Sequence, residues 1–168
     1  MILPSLLEQD SGNRSLSYFP RMRLEAEAIR DVAMAASGLL DTSIGGESIY
    51  PYQPPGLWEQ VAFQGTRKWN QSEGEKNYRR GLYVYWRRSI PYASFVTFDA
   101  PSRETCTVKR PRTNTPLQAL VLMNDPVYVE AACSFGLRIM TEGGDKLDER
   151  LRFAFRVALS REPSDDEL

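Results

Sequence analysis

No histidine occurs anywhere in the chain, and the candidate acids and bases are carboxylates. That absence removes Ser-His-Asp and Cys-His catalysis, His-ligated zinc and axial-His haem. Asp99 and Glu104 are the candidate carboxylates, with Arg103 between them in a Pro-bounded, turn-like stretch. Paired carboxylates suit glycoside hydrolysis when both face one cleft. An arginine neighbour, however, lowers carboxylate pKa values and does not prepare a general acid. The same residues also read as a brace for the loop, and we assign no catalytic residue.

Glu27 and Asp31 stand four residues apart, which puts two carboxylates on adjacent helical turns, as some metal sites require. Too few further oxygen ligands accompany them, and Arg23 and Arg30 flank them. Arg23, Glu27, Arg30 and Asp31 are therefore expected to form a structural salt-bridge cluster, and no metal site is assigned. Gly45-Gly46 is not a phosphate loop, because no Lys-Ser/Thr follows. Thr115 and Gln118 look like helix-start chemistry, although the same N-terminus could hold an anion. Trp58, Trp69 and Trp86 with the tyrosines read either as a sugar-stacking platform or as core. Trp69, in a polar loop, is the ring expected to be exposed. Arg103, Thr115, Gln118 and Trp69 are thus the candidate ligand-binding residues. Cys106 and Cys133 lie 27 apart with no C-x-x-C and no ligand spacing, so they are either one disulfide or two buried thiols.

The net charge of −1 hides a segregation. Residues 67–112 carry eleven Lys/Arg against four Asp/Glu, and the rest of the chain carries ten against eighteen. Trp69, Tyr78, Tyr83, Tyr85, Trp86 and Tyr92 are interleaved with that basic middle. Such a pattern suits a nucleic-acid or glycan surface. It equally suits docking of the middle on the chain's own acidic flanks. Nucleic acid is not expected as a partner; polysaccharide is kept as a candidate ligand.

These residues need elements to hold them. Residues 1–20 read as an irregular lead-in. Leu24, Ala28, Val32, Ala35, Ala36 and Leu39 recur at helical steps and predict a packed helix over residues 22–37, ended by Gly38. Arg23 and Glu27 would form an i,i+4 pair on it. Residues 41–65 hold Gly45, Gly46, Pro51, Pro54, Pro55 and Gly56, with Ile49, Tyr50, Tyr52, Leu57 and Trp58 as apolar anchors. They predict a long ordered loop, with a helical turn near residues 57–63. The aromatic and β-branched run 80–88 predicts a strand, paired in a hairpin with residues 94–98.

Thr115-Pro116 and Asp125-Pro126 each read as an N-cap followed by proline at the first helical position. The first helix carries Leu117, Leu120 and Val121. The second carries Val129, Ala132, Cys133, Gly136, Leu137 and Met140, and stops at Gly143-Gly144. A third carries Leu147, Leu151, Ala154, Phe155, Ala158 and Leu159. Ser164 with Glu167 opens a fourth. The fold class expected is mainly α, with a small β element (the candidate hairpin) and a long ordered Pro/Gly-rich loop. One domain is expected over 1–168: lead-in 1–20, helix plus loop 21–64, basic aromatic middle 65–112 and helical part 113–168. Because the fourth helix stops at Leu168, the chain is expected to be a fragment of a longer multidomain protein. No apolar run approaches the roughly 18 residues of a membrane span, and no signal peptide is visible in MILPSLLEQD.

Several blocks in fixed order carry a resemblance over nearly the whole chain. They are Arg23-Leu24-Glu25-Ala26-Glu27-Ala28-Ile29-Arg30-Asp31, Ser37-Gly38-Leu39-Leu40, Pro51-Tyr52-Gln53-Pro54-Pro55-Gly56-Leu57-Trp58, Arg79-Arg80-Gly81-Leu82-Tyr83, Thr97-Phe98-Asp99-Ala100-Pro101 and Thr113-Asn114-Thr115-Pro116-Leu117-Gln118. In these it resembles a domain of unknown function from large secreted cytochrome-c-type proteins of planctomycetes. The resemblance implies the C-terminal region of an exported, periplasmic or extracellular protein. Its upstream domains would be its partners, and haem c would be attached only there, since this segment has no C-x-x-C-H. The function expected is therefore a non-catalytic structural or binding module that docks to those domains. A carboxylate hydrolase acting on complex carbohydrate, with a site shared with missing domains, is the alternative.

Overall fold

The computed structural model describes residues 4–18, 22–58 and 68–168. As the patterning predicts, the architecture is mainly helical: α1 (Pro4–Gln9), α2 (Ala26–Ser37), α3 (Ala93–Thr97), α4 (Pro116–Asn124), α5 (Pro126–Glu142) and α6 (Leu147–Leu159). α1 lies inside the segment read as an irregular lead-in. The helical turn expected near residues 57–63 falls mostly outside the described residues.

The first long helix, α2, begins four residues later than its periodicity suggests. Glu25 is extended, with φ −72° and ψ 156°, and serves as the N-cap. Arg23 consequently precedes the helix, and its guanidinium donates to Asn114 Oδ1 at 2.9 Å, so the pair with Glu27 does not form. Gly38 ends α2 as expected, at φ 82°, with its N–H on the Ala35 carbonyl. The buried stripe is Ala26, Arg30, Met34 and Ser37, not the predicted one. Leu24, Val32 and Ala35 are exposed instead. A charged residue thus occupies the centre of the inward face, a position that apolar periodicity assigns to solvent.

The predicted hairpin is absent. Residues 94–98 are helical, inside and just after α3, which starts after Pro91-Tyr92. Ser94, Phe95 and Phe98 are buried, the i, i+1, i+4 pattern of a helix face. A five-residue run rich in Phe, Val and Thr satisfies strand propensity just as well, and tertiary burial decided between them. Residues 78–85 pair with the long loop: isolated parallel bridges join Asp41 to Arg79 and Ile49 to Val84. Asp41 N–H reaches the Tyr78 carbonyl at 2.9 Å, and Ile49 exchanges bonds with Tyr83 and Tyr85 at 2.8 Å each. The Pro/Gly-rich loop is ordered by this lacing, as its apolar anchors predict. The chain makes short 3₁₀ turns at Gly74–Tyr78, just before the first bridge, and at Gly81–Tyr83, between the two. Gly81 abuts α2, where a Cβ would stand 3.0 Å from the Glu27 carbonyl oxygen.

The core gathers Ala26, Ile49, Val84, Tyr92, Phe95, Phe98 and Tyr128. A second cluster of Met34, Val127 and Ala131 joins α2 to α5. Asp125 caps α5 as predicted, accepting from Val127 N–H at 2.9 Å, and burial raises its carboxyl pKa above the usual range. After α5, Gly144 supplies the left-handed residue at φ 92°, and Glu149 reaches back to Lys146 N–H at 3.3 Å to start α6. Beyond α6, Ser164 N–H donates to Glu167 at 2.9 Å in a short turn. Arg161 grips both Glu167 oxygens at 2.7 Å and holds that carboxyl down at about 2.

Candidate functional site

The residues singled out by chemistry are dispersed. Asp99, at φ 63°, accepts Thr113 N–H at 2.7 Å and the Thr113 hydroxyl at 2.9 Å, tying the end of α3 to the entry of α4. Gln118 is buried and donates to the Thr97 carbonyl at 2.9 Å and to the Thr113 hydroxyl at 3.1 Å. Its own side-chain oxygen accepts Thr115 N–H at 3.2 Å. Asp99, Thr113, Thr115 and Gln118 therefore form one polar knot that closes the exposed loop 102–109. Glu104 lies elsewhere, in an open depression beside Arg87 and Arg88. Asp99 and Glu104 do not meet across one of the cavities.

Arg103 lies over the Trp86 ring at 4.6 Å and approaches Glu27 at 3.7 Å. Arg110 holds Glu27 at 2.7 Å and Glu25 at 3.1 Å. Arg80 stands 3.9 Å from Asp31, whose carboxylate also takes Gly81 N–H at 2.5 Å. Part of the basic middle is thus used on the acidic face of α2. Of the four residues read as one cluster, Arg30 and Asp31 stand paired at 3.9 Å, and otherwise each tethers the helix separately: Arg23 to Asn114, Glu27 to the loop arginines, Asp31 to Gly81 and Arg30 to the interior. Arg30 is 1% exposed. Its guanidinium donates to the Arg79 carbonyl at 2.6 Å and to the Asn77 carbonyl, and burial lowers its pKa. Tyr128, on the facing helix, is pushed up to about 12 by the same desolvation.

Trp69 is half-buried, against expectation. Its indole N–H donates to the Pro51 carbonyl at 2.7 Å, and it packs on Tyr50 and Trp58 with ring centroids 5.1 and 5.2 Å apart. Tyr85 stacks on Tyr50 at 4.8 Å, completing an aromatic wall. Cys106 and Cys133 are both exposed and unpaired, which replaces the expectation of a disulfide or buried thiols. Among the described residues no group of three or more Cys, Asp or Glu side chains is arranged to hold a metal ion, and no helix is long and apolar enough to cross a membrane.

What residue-type reasoning missed is a surface. On α5 the buried residues are Val127, Tyr128 and Ala131. The stripe that periodicity picked out, Val129, Cys133, Gly136, Leu137 and Met140, points the opposite way and is exposed. Leu137 is 67% exposed and Met140 57%. α4 does the same: Gln118 is inside, while Leu117, Leu120 and Met123 face outward. In α6 no residue is fully buried, and Leu147 and Leu159 are exposed at its two ends. An apolar groove of about 310 Å³ runs beside them, lined by Val32, Ala36, Leu122, Ala132, Phe135 and Ala158 among others. The signal was present in the sequence: α5 carries two apolar stripes, and a helix apolar all round is one that expects cover on both sides.

Together these features define a small helical module in which Asp99 is engaged in holding a loop, Glu104 stands apart from it, and the C-terminal helices present an apolar face. The chain belongs to the family described as PSD1, a protein of unknown function (DUF1553), whose sequence model matches residues 2–168. Comparison with curated proteins and with solved structures finds no match.

Proposed function

We propose that the chain is a non-catalytic docking module of an exported, haem-linked multidomain protein, seated on domains of the same polypeptide through the outward face of α4, α5 and α6. Contact with polysaccharide is the second part of this reading. The observation that carries it is the double-sided α5, whose outward stripe of Val129, Leu137 and Met140 has no cover among the described residues. A large contiguous apolar exposure marks an interaction site. Export and a haem-bearing neighbour rest on the resemblance of the sequence blocks, and haem c is expected only in upstream domains. The hydrolase alternative has no support from the carboxylates, because Asp99 is engaged with Thr113.

Leu137→Lys combined with Met140→Lys tests the docking reading. Both side chains are exposed, so the isolated variant is expected to unfold thermally as the parent chain does. Co-expressed with the upstream domains, it is expected to lose co-purification with them. Retention of the complex would overturn the assignment of this face.

A further inference from the structure

A large cavity lies between the long loop and the segment that laces it. It encloses about 700 Å³ and is lined by Glu47, Ser48, Tyr50, Glu73, Lys76 and Arg79 among others. A smaller chamber of about 80 Å³ lies deeper, lined by Arg30, Asn77 and Glu130. Gln71 lines both, and the same two segments, residues 50–52 and 71–79, wall them. The inner chamber is built, not incidental: Arg30 is 1% exposed, and its Nε has no protein hydrogen-bond partner, nor has the buried Asn77 Oδ1.

The lining identifies a ligand class. Three cations (Arg30, Lys76, Arg79) and three carboxylates (Glu47, Glu73, Glu130) are among the residues that line the two chambers. Balanced charge gives no net field to hold an anion or a cation, whereas steering of charged ligands needs a wall of one sign. Arg30 and Arg79 already give guanidinium N–H groups to main-chain carbonyls, but the lining still offers acceptors on Glu47 and Glu73, the donors of Lys76 and both kinds of group on Gln71, Ser48 and Ser72. A ligand dense in neutral groups that both donate and accept satisfies all of them, and that ligand is a polyhydroxylated one. Tyr50, fixed by its stack on Tyr85 and its edge contact with Trp69, gives the outer chamber a rigid aromatic element. The volume falls in the range of small-molecule sites, roughly 300–1,000 Å³. From these observations we propose that the two chambers form a binding site for a short neutral oligosaccharide. This deepens the polysaccharide part of the reading above and is independent of the docking face.

Isothermal titration of the 168-residue chain against neutral oligosaccharides of the glucan, xylan, mannan and chitin types, and against a sulfated and a uronic polysaccharide, tests the site. Saturable binding to a neutral member is expected, with little dependence on salt. Glu73→Ala and Gln71→Ala, both exposed positions, are each expected to weaken it about tenfold, the cost of one hydrogen bond involving a strong donor or acceptor. Their far-ultraviolet spectra are expected to match the parent, and Glu73→Gln serves as the milder variant. The Leu137→Lys, Met140→Lys chain is expected to bind the sugar normally, and the Glu73→Ala chain to co-purify with upstream domains normally. Failure of one proposal is thereby separated from failure of the other. Binding to no neutral glycan, binding only to the anionic polymers with steep loss in salt, or binding unchanged by both substitutions would each overturn the proposal.

Discussion

Replacing Arg30 by methionine is expected to destabilise the chain by about 3–5 kcal/mol, the usual cost of removing one partner from a buried charged network. The guanidinium is the only strongly polar group at the centre of the α2 inward face, and it carries two jobs. It satisfies the carbonyls of Asn77 and Arg79, residues 47 and 49 positions away. In doing so it fixes the segment that walls the cleft and that pairs with the long loop. Methionine restores the volume but leaves two buried carbonyls without a donor. Lysine restores the charge, but a compact ammonium does not reproduce the planar fork that spans two carbonyls. Arg30→Lys is therefore expected to fall well short of rescue. Urea unfolding followed by the fluorescence of the three tryptophans measures both. A methionine variant within about 1 kcal/mol of the parent would show that the tie between α2 and residues 77–79 does not depend on this side chain.

Phe95→Ala carries the other large effect, about 3–5 kcal/mol for a fully buried phenylalanine. Phe95 is 1% exposed, meets Tyr92 edge-on at 5.0 Å and lies near-parallel to Trp86 at 6.5 Å. The neighbouring positions make the measurement diagnostic of local structure. In α3 and at its C-cap, Phe95 and Phe98 face the core together, and Val96 is exposed. Phe98→Ala is thus expected to be costly too, and Val96→Ala to stay within about 0.5 kcal/mol of the parent. A strand over residues 94–98 would place Val96 and Phe98 on one face and Phe95 on the other. Equal losses at Val96 and Phe98 would therefore contradict the helix.

These two positions also show where the sequence is legible. The C-terminal helices are announced by local chemistry: Thr115-Pro116, Asp125-Pro126 and Gly143-Gly144 each act within a few residues, and all fall where expected. The end of α2 at Gly38 is local in the same sense. Arg30 is not legible, because its burial depends on carbonyls supplied from across the fold. The pairing of Ile49 with Val84 is equally remote, and Phe95 sits in a run too short for its period to be decided. The loop knot of Asp99, Thr113 and Gln118 was visible as polar residue types and as helix-start chemistry, but not as one unit, since only the fold brings residue 99 to residue 113.

Apolar periodicity itself behaved in an instructive way. In α5 it identified a stripe that faces outward, and in α2 and α4 stripes that do so in part, with Val32, Leu117 and Leu120 exposed but Leu39 and Val121 packed on the core, while the inward positions include Arg30, Gln118, Ala131 and Tyr128. A sequence that keeps Val32, Leu117, Leu120, Leu137 and Met140 at regular helical steps and then leaves them in water has a poorly satisfied surface. The cost of exposing a large aliphatic side chain is roughly 1.5–3 kcal/mol each. On the docking proposed above, the periodic pattern records a second packing face as well as helical structure.

The two exposed cysteines offer the most direct measurement of that claim. Cys133 lies in the outward stripe of α5 and Cys106 in the exposed loop between α3 and α4. In the isolated chain both thiols are expected to react with a maleimide at comparable rates. In a polypeptide that also carries the proposed partner domains, Cys133 is expected to slow by about tenfold or more, since reactivity follows exposure of the thiol, while Cys106 keeps its rate as the internal reference. Undiminished labelling of Cys133 in the assembled protein would leave the face of α5 open to solvent and would contradict the docking account.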